Sequence, residues 1–157
     1  DLNVDAYIPE YYIKNEYQKL DIYKRISTIE TDEEYMDMQD ELLDRFGDIP
    51  KSVENLLKIA MVRALAHRAY VTEVFVNRQE IRLTMYQKAK LDVTRIPDFV
   101  QSYKGELKLV PGETPVFHYV DRKNKNSDSL IMLEKARTML EQLGKLGQKE
   151  PGGNGAD

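Results

Sequence analysis

Apolar side chains in the first 70 residues recur at intervals of three and four, which is the period of an amphipathic helix. Three such stretches, at about 15–29, 31–47 and 51–69, predict three successive helices. Asn15 can cap the first helix, and Pro50 suits the first turn of the third. The inward positions predicted for the first and third helices are Leu20, Tyr23, Ile26, Ile29, Val53, Leu56, Leu57, Ala60, Met61, Ala64 and Leu65.

The second helix has the clearest boundaries. Thr31 and Glu34 form a capping-box pair, in which the hydroxyl bonds a first-turn amide and the carboxylate returns to the amide of the cap. Gly47 fits the position just past a helix end, where a positive φ favours glycine. At about 100° per residue, one stripe holds Tyr35, Met38, Leu42 and Phe46, with Met36 and Leu43 at its margin, and the opposite side holds Glu33, Glu34, Asp37, Asp40, Glu41 and Asp44, with Arg45 at the edge.

The hydrophobic period changes from 3.6 to 2 after residue 70. Residues 71–76 and 80–86 predict one β-hairpin, and residues 106–110 and 115–120 predict a second. In residues 80–86 apolar and polar side chains alternate, which is typical of a strand with one buried and one wet face.

Two more helices are predicted in this half of the chain. One begins at Asp92 or Thr94 and ends near Tyr103, and the other begins at Ser127 or Asp128 and ends near Leu143. The predicted fold class is therefore α+β. It has three N-terminal helices, then two β-hairpins that form an antiparallel sheet with interspersed and C-terminal helices.

The sequence divides into three parts. Residues 1–14 contain Pro9 together with Tyr7, Ile8, Tyr11, Tyr12 and Ile13, so we expect an extended arm that packs on the rest of the chain. Residues 15–146 are expected to form one α+β regulatory domain. Residues 147–157 end in PGGNGAD, a composition that predicts a disordered tail.

Composition narrows the class of protein. The chain has 157 residues and no cysteine, which fits a reducing cytoplasm and gives no thiolate ligand. No apolar run approaches the ~18 residues that a membrane span needs, and no signal peptide precedes DLNVDAY, which lacks an initiator Met and indicates a piece of a longer chain. We expect a cytoplasmic monomer.

Acidity is concentrated on the second helix. Between Thr31 and Asp48 the chain has eight acids and one base, a net charge of −7, whereas the whole chain carries −4. Two interpretations are open: a solvated helix surface, or a docking surface for a basic partner that relieves repulsion between like charges. Composition alone does not decide between them.

Catalytic and metal-binding patterns are not evident. The sequence has neither a Walker A loop nor GxGxxG, and His67 and His118 lie outside any metal-ligand spacing. Asp37, Asp40, Glu41 and Asp44 share a helix face, and two of them could act as a general acid and base, but carboxylates on a convex, solvated helix keep near-normal pKa values. The sequence therefore predicts a fragment that is not an enzyme and holds no cofactor or metal.

Three runs of sequence resemble a known family. DAYIPEYYI at 5–13, YKRIS at 23–27 and ELLDRFGDIPKSVENLL at 41–57 are similar to the C-terminal domain of the bacterial transcription-repair coupling factor, Mfd. The resemblance covers residues 1–145; it is specific through about residue 65, and after that it follows pattern more than letters.

The resemblance implies a parent protein that is an ATP-driven DNA translocase of transcription-coupled repair, with ATP and Mg in a motor outside this fragment. Through that parent the partners would be RNA polymerase, DNA and UvrA. The family's C-terminal domain is not catalytic. It packs on a UvrB-like N-terminal module of the same protein and masks the UvrA-binding surface, so it is autoinhibitory.

The resemblance also assigns site residues. The polar positions of ELLDRFG, which are Glu41, Asp44 and Arg45 here, are expected to contact the UvrB-like module, and Asp37 and Asp40 extend the same acidic face. The inward positions Leu42, Leu43 and Phe46 are expected to be core. The alternative function is an accessory module that contacts nucleic acid or polymerase.

Overall fold

The computed structural model describes residues 4–123 and 128–147. Along these residues the elements are α1 (Glu16–Ser27), α2 (Asp32–Phe46), α3 (Lys51–Arg68), β1 (Val71–Val76), β2 (Glu80–Met85), a 3-10 turn (Val93–Arg95), α4 (Ile96–Gln101), β3 (Leu107–Val110), β4 (Val116–Val120) and α5 (Ser129–Lys145). The expected disorder of the tail concerns residues 148–157, which lie outside the described residues, as do residues 1–3 of the arm.

The four strands form one antiparallel sheet in the order β1-β2-β4-β3. β1 pairs with β2 and β3 pairs with β4, so each predicted hairpin is present, and β2 and β4 join the two hairpins at the centre of the sheet. The α+β fold class is therefore confirmed. Gly147, the first residue of the predicted tail, lies in an isolated bridge with Leu91.

The chain forms two compact units. Among the described residues, the N-terminal unit is 4–65, and the C-terminal unit is 66–123 with 128–147. Helix α3 runs on from the first unit into the second. The folding of residues 15–146 as one domain stays a prediction.

Side chains and a glycine cap the helices of the N-terminal unit. Asn15 Oδ1 accepts from the amide of Gln18 at 3.0 Å, and Thr31 Oγ1 accepts from the amide of Glu34 at 3.0 Å. Glu34 Oε1 in turn accepts from the amide of Glu30 at 2.8 Å, so the return bond reaches the residue before the cap and not the predicted amide of Thr31. Gly47 ends α2 with φ at 91°.

Burial in the N-terminal unit corrects several inward positions. Ile22 and Ile26 are buried in α1, whereas Leu20 is 64% exposed. The buried stripe runs from Ile22 through Ile26 to Ile29, and Leu20 lies about 200° from Ile22 on the helix. The prediction that Leu20 faces inward was therefore wrong.

In α2, too, an apolar residue that was predicted to face inward is exposed. Met38 and Leu42 are buried and set the centre of the inward stripe, so Leu43 lies well over 90° away and is 48% exposed. The prediction that Leu43 is core was wrong. Phe46 is nearer the stripe but lies at the end of the helix, and it is half-buried rather than fully buried.

The N-terminal arm hydrogen-bonds to all three helices of its unit. The hydroxyl of Tyr23 accepts from the amide of Ile8 at 2.8 Å, and the amide of Tyr7 donates to the carbonyl of Ser52 at 3.3 Å. The hydroxyl of Tyr12 lies 3.1 Å from the carbonyl of Leu42 and 2.9 Å from that of Gly47. Burial raises the pKa of Tyr12, with a smaller contribution from nearby Asp48.

The C-terminal unit buries one face of its sheet under helices. Ile81, Leu83 and Met85 lie on that face, and Tyr119 and Phe117, which pair with Ile81 and Leu83, continue it on β4. Three side chains cover these rings: Phe99 of α4, 5.5 Å from Phe117; Tyr103, in the turn after α4, 5.9 Å from Tyr119; and Lys135 of α5, whose Nζ lies 5.2 Å from the centre of the Tyr119 ring.

The neighbours Leu42 and Leu43 give a matched test of the burial pattern. Leu42→Ala removes a fully buried side chain and should lower the free energy of unfolding by about 2–5 kcal/mol, whereas Leu43→Ala should change it by less than about 1 kcal/mol. Urea denaturation followed by circular dichroism measures both. Equal losses would contradict the placement of these side chains.

Candidate protein interface

Three carboxylates of α2 point away from the core of their unit. Asp37, Asp40 and Asp44 are exposed, and none of them forms an ion pair or hydrogen bond with another residue of the described part of the chain. On the helix they lie at least about 120° from the centre of the buried stripe. Negative charge that no neighbour compensates is therefore presented to solvent along about two turns of helix.

Glu41 has a different environment from these three acids. Its carboxylate accepts two hydrogen bonds from Arg25 of α1, at 2.7 and 2.5 Å, and one from Arg45 at 2.8 Å. These bonds, with that from Arg25 the largest contribution, lower the pKa of Glu41 to about 2. Glu41 lies at the edge of the inward stripe and is half-buried, so it is not on the opposite side of the helix as predicted, whereas its contact with a partner stays a prediction.

Arg45 is held in place by its neighbours on α2. One amino group donates to Glu41, and the guanidinium carbon lies 4.8 Å from the centre of the Phe46 ring. Phe46 in turn packs against Tyr12 at 5.7 Å. The side chain of Arg45 remains 36% exposed, so it can meet an external group from a fixed position.

Sequence reasoning missed Arg25 and Tyr12 as parts of this arrangement. The pattern of the first helix places Arg25 on its outer face, and the composition of residues 1–14 predicts only that Tyr12 packs on the rest of the chain. One pattern in the sequence could have indicated the ion pair of Arg25: the predicted helical hairpin carries bases on its first helix and acids on its second.

A groove lies between the end of α1 and the start of α2. It encloses about 230 Å³, and its lining residues are Arg25, Thr28, Ile29, Glu34, Asp37 and Met38. Of the three exposed carboxylates, Asp37 lines this groove. The acidic surface is therefore not uniformly convex at its N-terminal end.

Within residues 4–123 and 128–147, no group of three or more metal-ligating side chains could hold a metal ion. His118 Nε2 lies 2.8 Å from Glu80 Oε1 on the sheet. None of the helices in these ranges is long and apolar enough to cross a membrane.

Comparison with solved structures first places the chain by its fold. It superposes on a structure described as the crystal structure of the C-terminal domain of transcription-repair coupling factor, with a TM-score of 0.74 and 26% identity. The match covers 93% of this chain and 91% of that one. It therefore includes the C-terminal unit, where the amino-acid sequence resembles the family only loosely.

Sequence comparison identifies the family. The TRCF domain model matches residues 2–96. The transcription-repair-coupling factor of Bacillus subtilis (strain 168) is 40% identical over 93 residues, and that of Staphylococcus haemolyticus (strain JCSC1435) is 42% identical over 89 residues. These matches cover 59% and 57% of this chain. The chain belongs to the TRCF domain family, which confirms the resemblance seen in its sequence.

The relatives are much longer than this chain. The matched segments span 8% of each of the two relatives.

The contact of Glu41, Asp44, Arg45, Asp37 and Asp40 with a partner stays a prediction.

The lowered pKa of Glu41 predicts a specific pH dependence of stability. A carboxyl whose pKa is lower in the folded than in the unfolded state stabilises the fold above its unfolded value of 4.5, and this stabilisation is lost as the pH falls towards 2. The shift corresponds to at most roughly 3 kcal/mol. We expect about 1–2 kcal/mol, because the side chains of Arg25 and Arg45 are 41% and 36% exposed.

Glu41→Gln should therefore lower the free energy of unfolding at pH 7, and most of this difference should disappear by pH 2. Urea denaturation at pH 7, 4 and 2 measures it. Asp40→Asn is the control on the same helix, since its exposed carboxylate has no partner in the described chain, and its effect should be small at every pH. A Glu41→Gln effect that is independent of pH would contradict the shared carboxylate.

Proposed function

We propose that this chain is a non-catalytic, autoinhibitory interaction domain of an ATP-dependent DNA translocase in transcription-coupled DNA repair. Its partner is the UvrB-like N-terminal module of the same protein, and docking masks the surface that binds UvrA. Family membership supports the setting. The observation that carries the docking role is the row of exposed, uncompensated carboxylates at Asp37, Asp40 and Asp44.

These carboxylates and Arg45 have complementary roles in the proposed interface. The acids repel one another on the free helix, and basic groups of the UvrB-like module would relieve that repulsion. Arg45 offers a positioned guanidinium that can bind a carbonyl or carboxylate, or stack on an aromatic ring. Glu41 acts through its neighbours, because it fixes Arg45 and joins α1 to α2.

The mechanism is a shift between two populations. The docked form hides the UvrA-binding surface, and the released form exposes it. A polar contact at the rim of an interface supplies about 1–3 kcal/mol of coupling, which engagement of RNA polymerase or DNA by the rest of the protein can overcome. ATP and Mg act in the motor of the parent protein, in the cytoplasm, and this domain contributes no step to hydrolysis.

The alternative is an accessory module that contacts nucleic acid or polymerase. The acidic face of α2 opposes nucleic-acid binding, because it repels phosphates. A gel-shift at low salt with the isolated domain distinguishes the two functions. Tight, salt-dependent DNA binding would favour the alternative.

A double variant in the full-length translocase tests the docking role. Asp40→Asn with Asp44→Asn should leave folding near normal but raise UvrA binding and ATPase activity, each by about 5-fold or more, because the docked form loses its charge contacts. A binding assay with immobilised UvrA and a coupled ATPase assay measure the two effects.

The matched control removes two exposed acids elsewhere in the same unit. Glu10→Gln with Glu16→Gln changes the net charge equally, and it should leave both activities unchanged. Wild-type activities in the Asp40, Asp44 variant, or equal activation by the control, would show that α2 is not the docking surface. A pull-down of the domain by the separate N-terminal module should fail with the first variant and succeed with the control.

A further inference from the structure

The sheet of the C-terminal unit has a second face that its own helices do not cover. Helix residues pack on the face of Leu83 and Phe117, whereas the alternate residues of each strand point the other way. Lys108 and Val110 on this side are exposed, and Arg82 keeps 42% of its side-chain surface in contact with solvent. We call it the open sheet face.

One cross-strand row on the open sheet face combines an aromatic ring with basic side chains. Phe75 of β1 pairs with Arg82 of β2, Arg82 pairs with His118 of β4, and His118 pairs with Lys108 of β3. The row thus crosses all four strands. With a strand spacing of about 4.8 Å it is roughly 14 Å long.

Arg82 at the centre of the row is held on two sides. Its guanidinium carbon lies 4.0 Å from the centre of the Phe75 ring, and one amino group donates to Glu80 at 2.7 Å. The same Glu80 oxygen lies 2.8 Å from His118 Nε2. The hydrogen bond from His118 makes the largest contribution to the lowered pKa of Glu80, and Arg82 lowers this pKa further. Arg82 and His118 therefore meet a ligand with little loss of side-chain freedom.

The chemistry of the open sheet face fits a protein better than a nucleic acid. Aromatic and arginine side chains are enriched in protein interfaces and among their hot spots. Val110 and Val116 lie beside the row, two residues further along β3 and β4 on the same face, and supply apolar contact that phosphates cannot use.

The charge of the open sheet face and its unit indicates which kind of protein segment would bind there. Residues 66–157 contain fifteen Lys and Arg and twelve Asp and Glu, a net charge of +3, in contrast to the acidic second helix. Beyond Phe75 the row itself presents Arg82, His118 and Lys108. A complementary segment carries carboxylates for these groups and apolar side chains for the valines.

From this geometry we propose that the open sheet face of the C-terminal unit binds an acidic, amphipathic segment of a partner protein, with Arg82 and Lys108 as the charged contacts and Phe75, Val110 and Val116 as the apolar ones. The proposal does not depend on docking through α2, because all of its residues lie in the other unit. The face is small, so its complexes belong to the weak, transient class of interface. Dissociation constants of about 0.1–1 mM are expected for a short peptide.

Nuclear magnetic resonance of the 157-residue chain tests the proposal. The probe is a nine-residue peptide of alternating glutamate and valine. It should shift the amide signals of β2, β3 and β4 and the ring signals of His118, with saturation by about 5 mM. A peptide of alternating lysine and valine, and a twelve-residue oligothymidylate, are the competing ligands.

Variants that each remove one positive charge test whether binding depends on the open sheet face or only on the net charge of the chain. Lys108→Gln and Arg82→Gln should each raise the dissociation constant of the acidic peptide about 2- to 5-fold. Lys145→Gln removes an exposed lysine from α5, on the helix side of the sheet, and should leave it unchanged. Since Arg82 also pairs with Glu80, Lys108→Gln decides the outcome if Arg82→Gln perturbs the fold.

Four results would overturn the proposal. These are absence of saturation at 5 mM, shifts confined to other surfaces, equal weakening by Lys145→Gln, and binding of the basic peptide or the oligothymidylate to this face at least as tightly as the acidic peptide. The last result would assign the face to a basic partner or to nucleic acid. Because docking through α2 is measured with UvrA binding and ATPase activity, failure of either idea leaves the other standing.

Discussion

One carboxylate shared by two guanidinium groups organises the N-terminal unit. Glu41 joins α1 to α2 through Arg25 and at the same time fixes Arg45 along its own helix. A bidentate arginine–carboxylate pair has a defined geometry as well as a favourable energy. The exposed acids of α2 therefore project from a helix whose orientation is set by a polar contact on one side and by Leu42 on the other.

The capping signals and the change of period were strong enough to predict most of the fold. Asn15, Thr31, Gly47 and Asp128 act locally, through bonds to amides a few residues away or through a backbone angle, so their effect can be predicted from neighbouring letters. The alternation in β2 likewise requires only that one face be buried. The fold class followed from these local patterns.

Contacts between distant segments were much less predictable. Leu20 and Leu43 fit a helical period, but only the position of the neighbouring helices decides which of several apolar residues is central. The partners of Glu41 and the bonds of Tyr12 to the end of α2 depend on segments 16 and 30 or more residues apart. The acidic face could be predicted because it depends on the residues of one helix. The hydrogen bonds of Glu41 depend on how two helices pack, so they could not be predicted.

The two sets of acids on α2 are subject to different evolutionary constraints. Replacement of Glu41 in a descendant sequence would leave two arginines without their shared anion, so tolerated changes there would be expected to arrive together with changes at Arg25 or Arg45. Asp37, Asp40 and Asp44 form no ion pair or side-chain hydrogen bond in the described chain, so their replacement would leave its internal contacts intact. A single helix can thus keep its own fold while the charge on its exposed side changes from lineage to lineage.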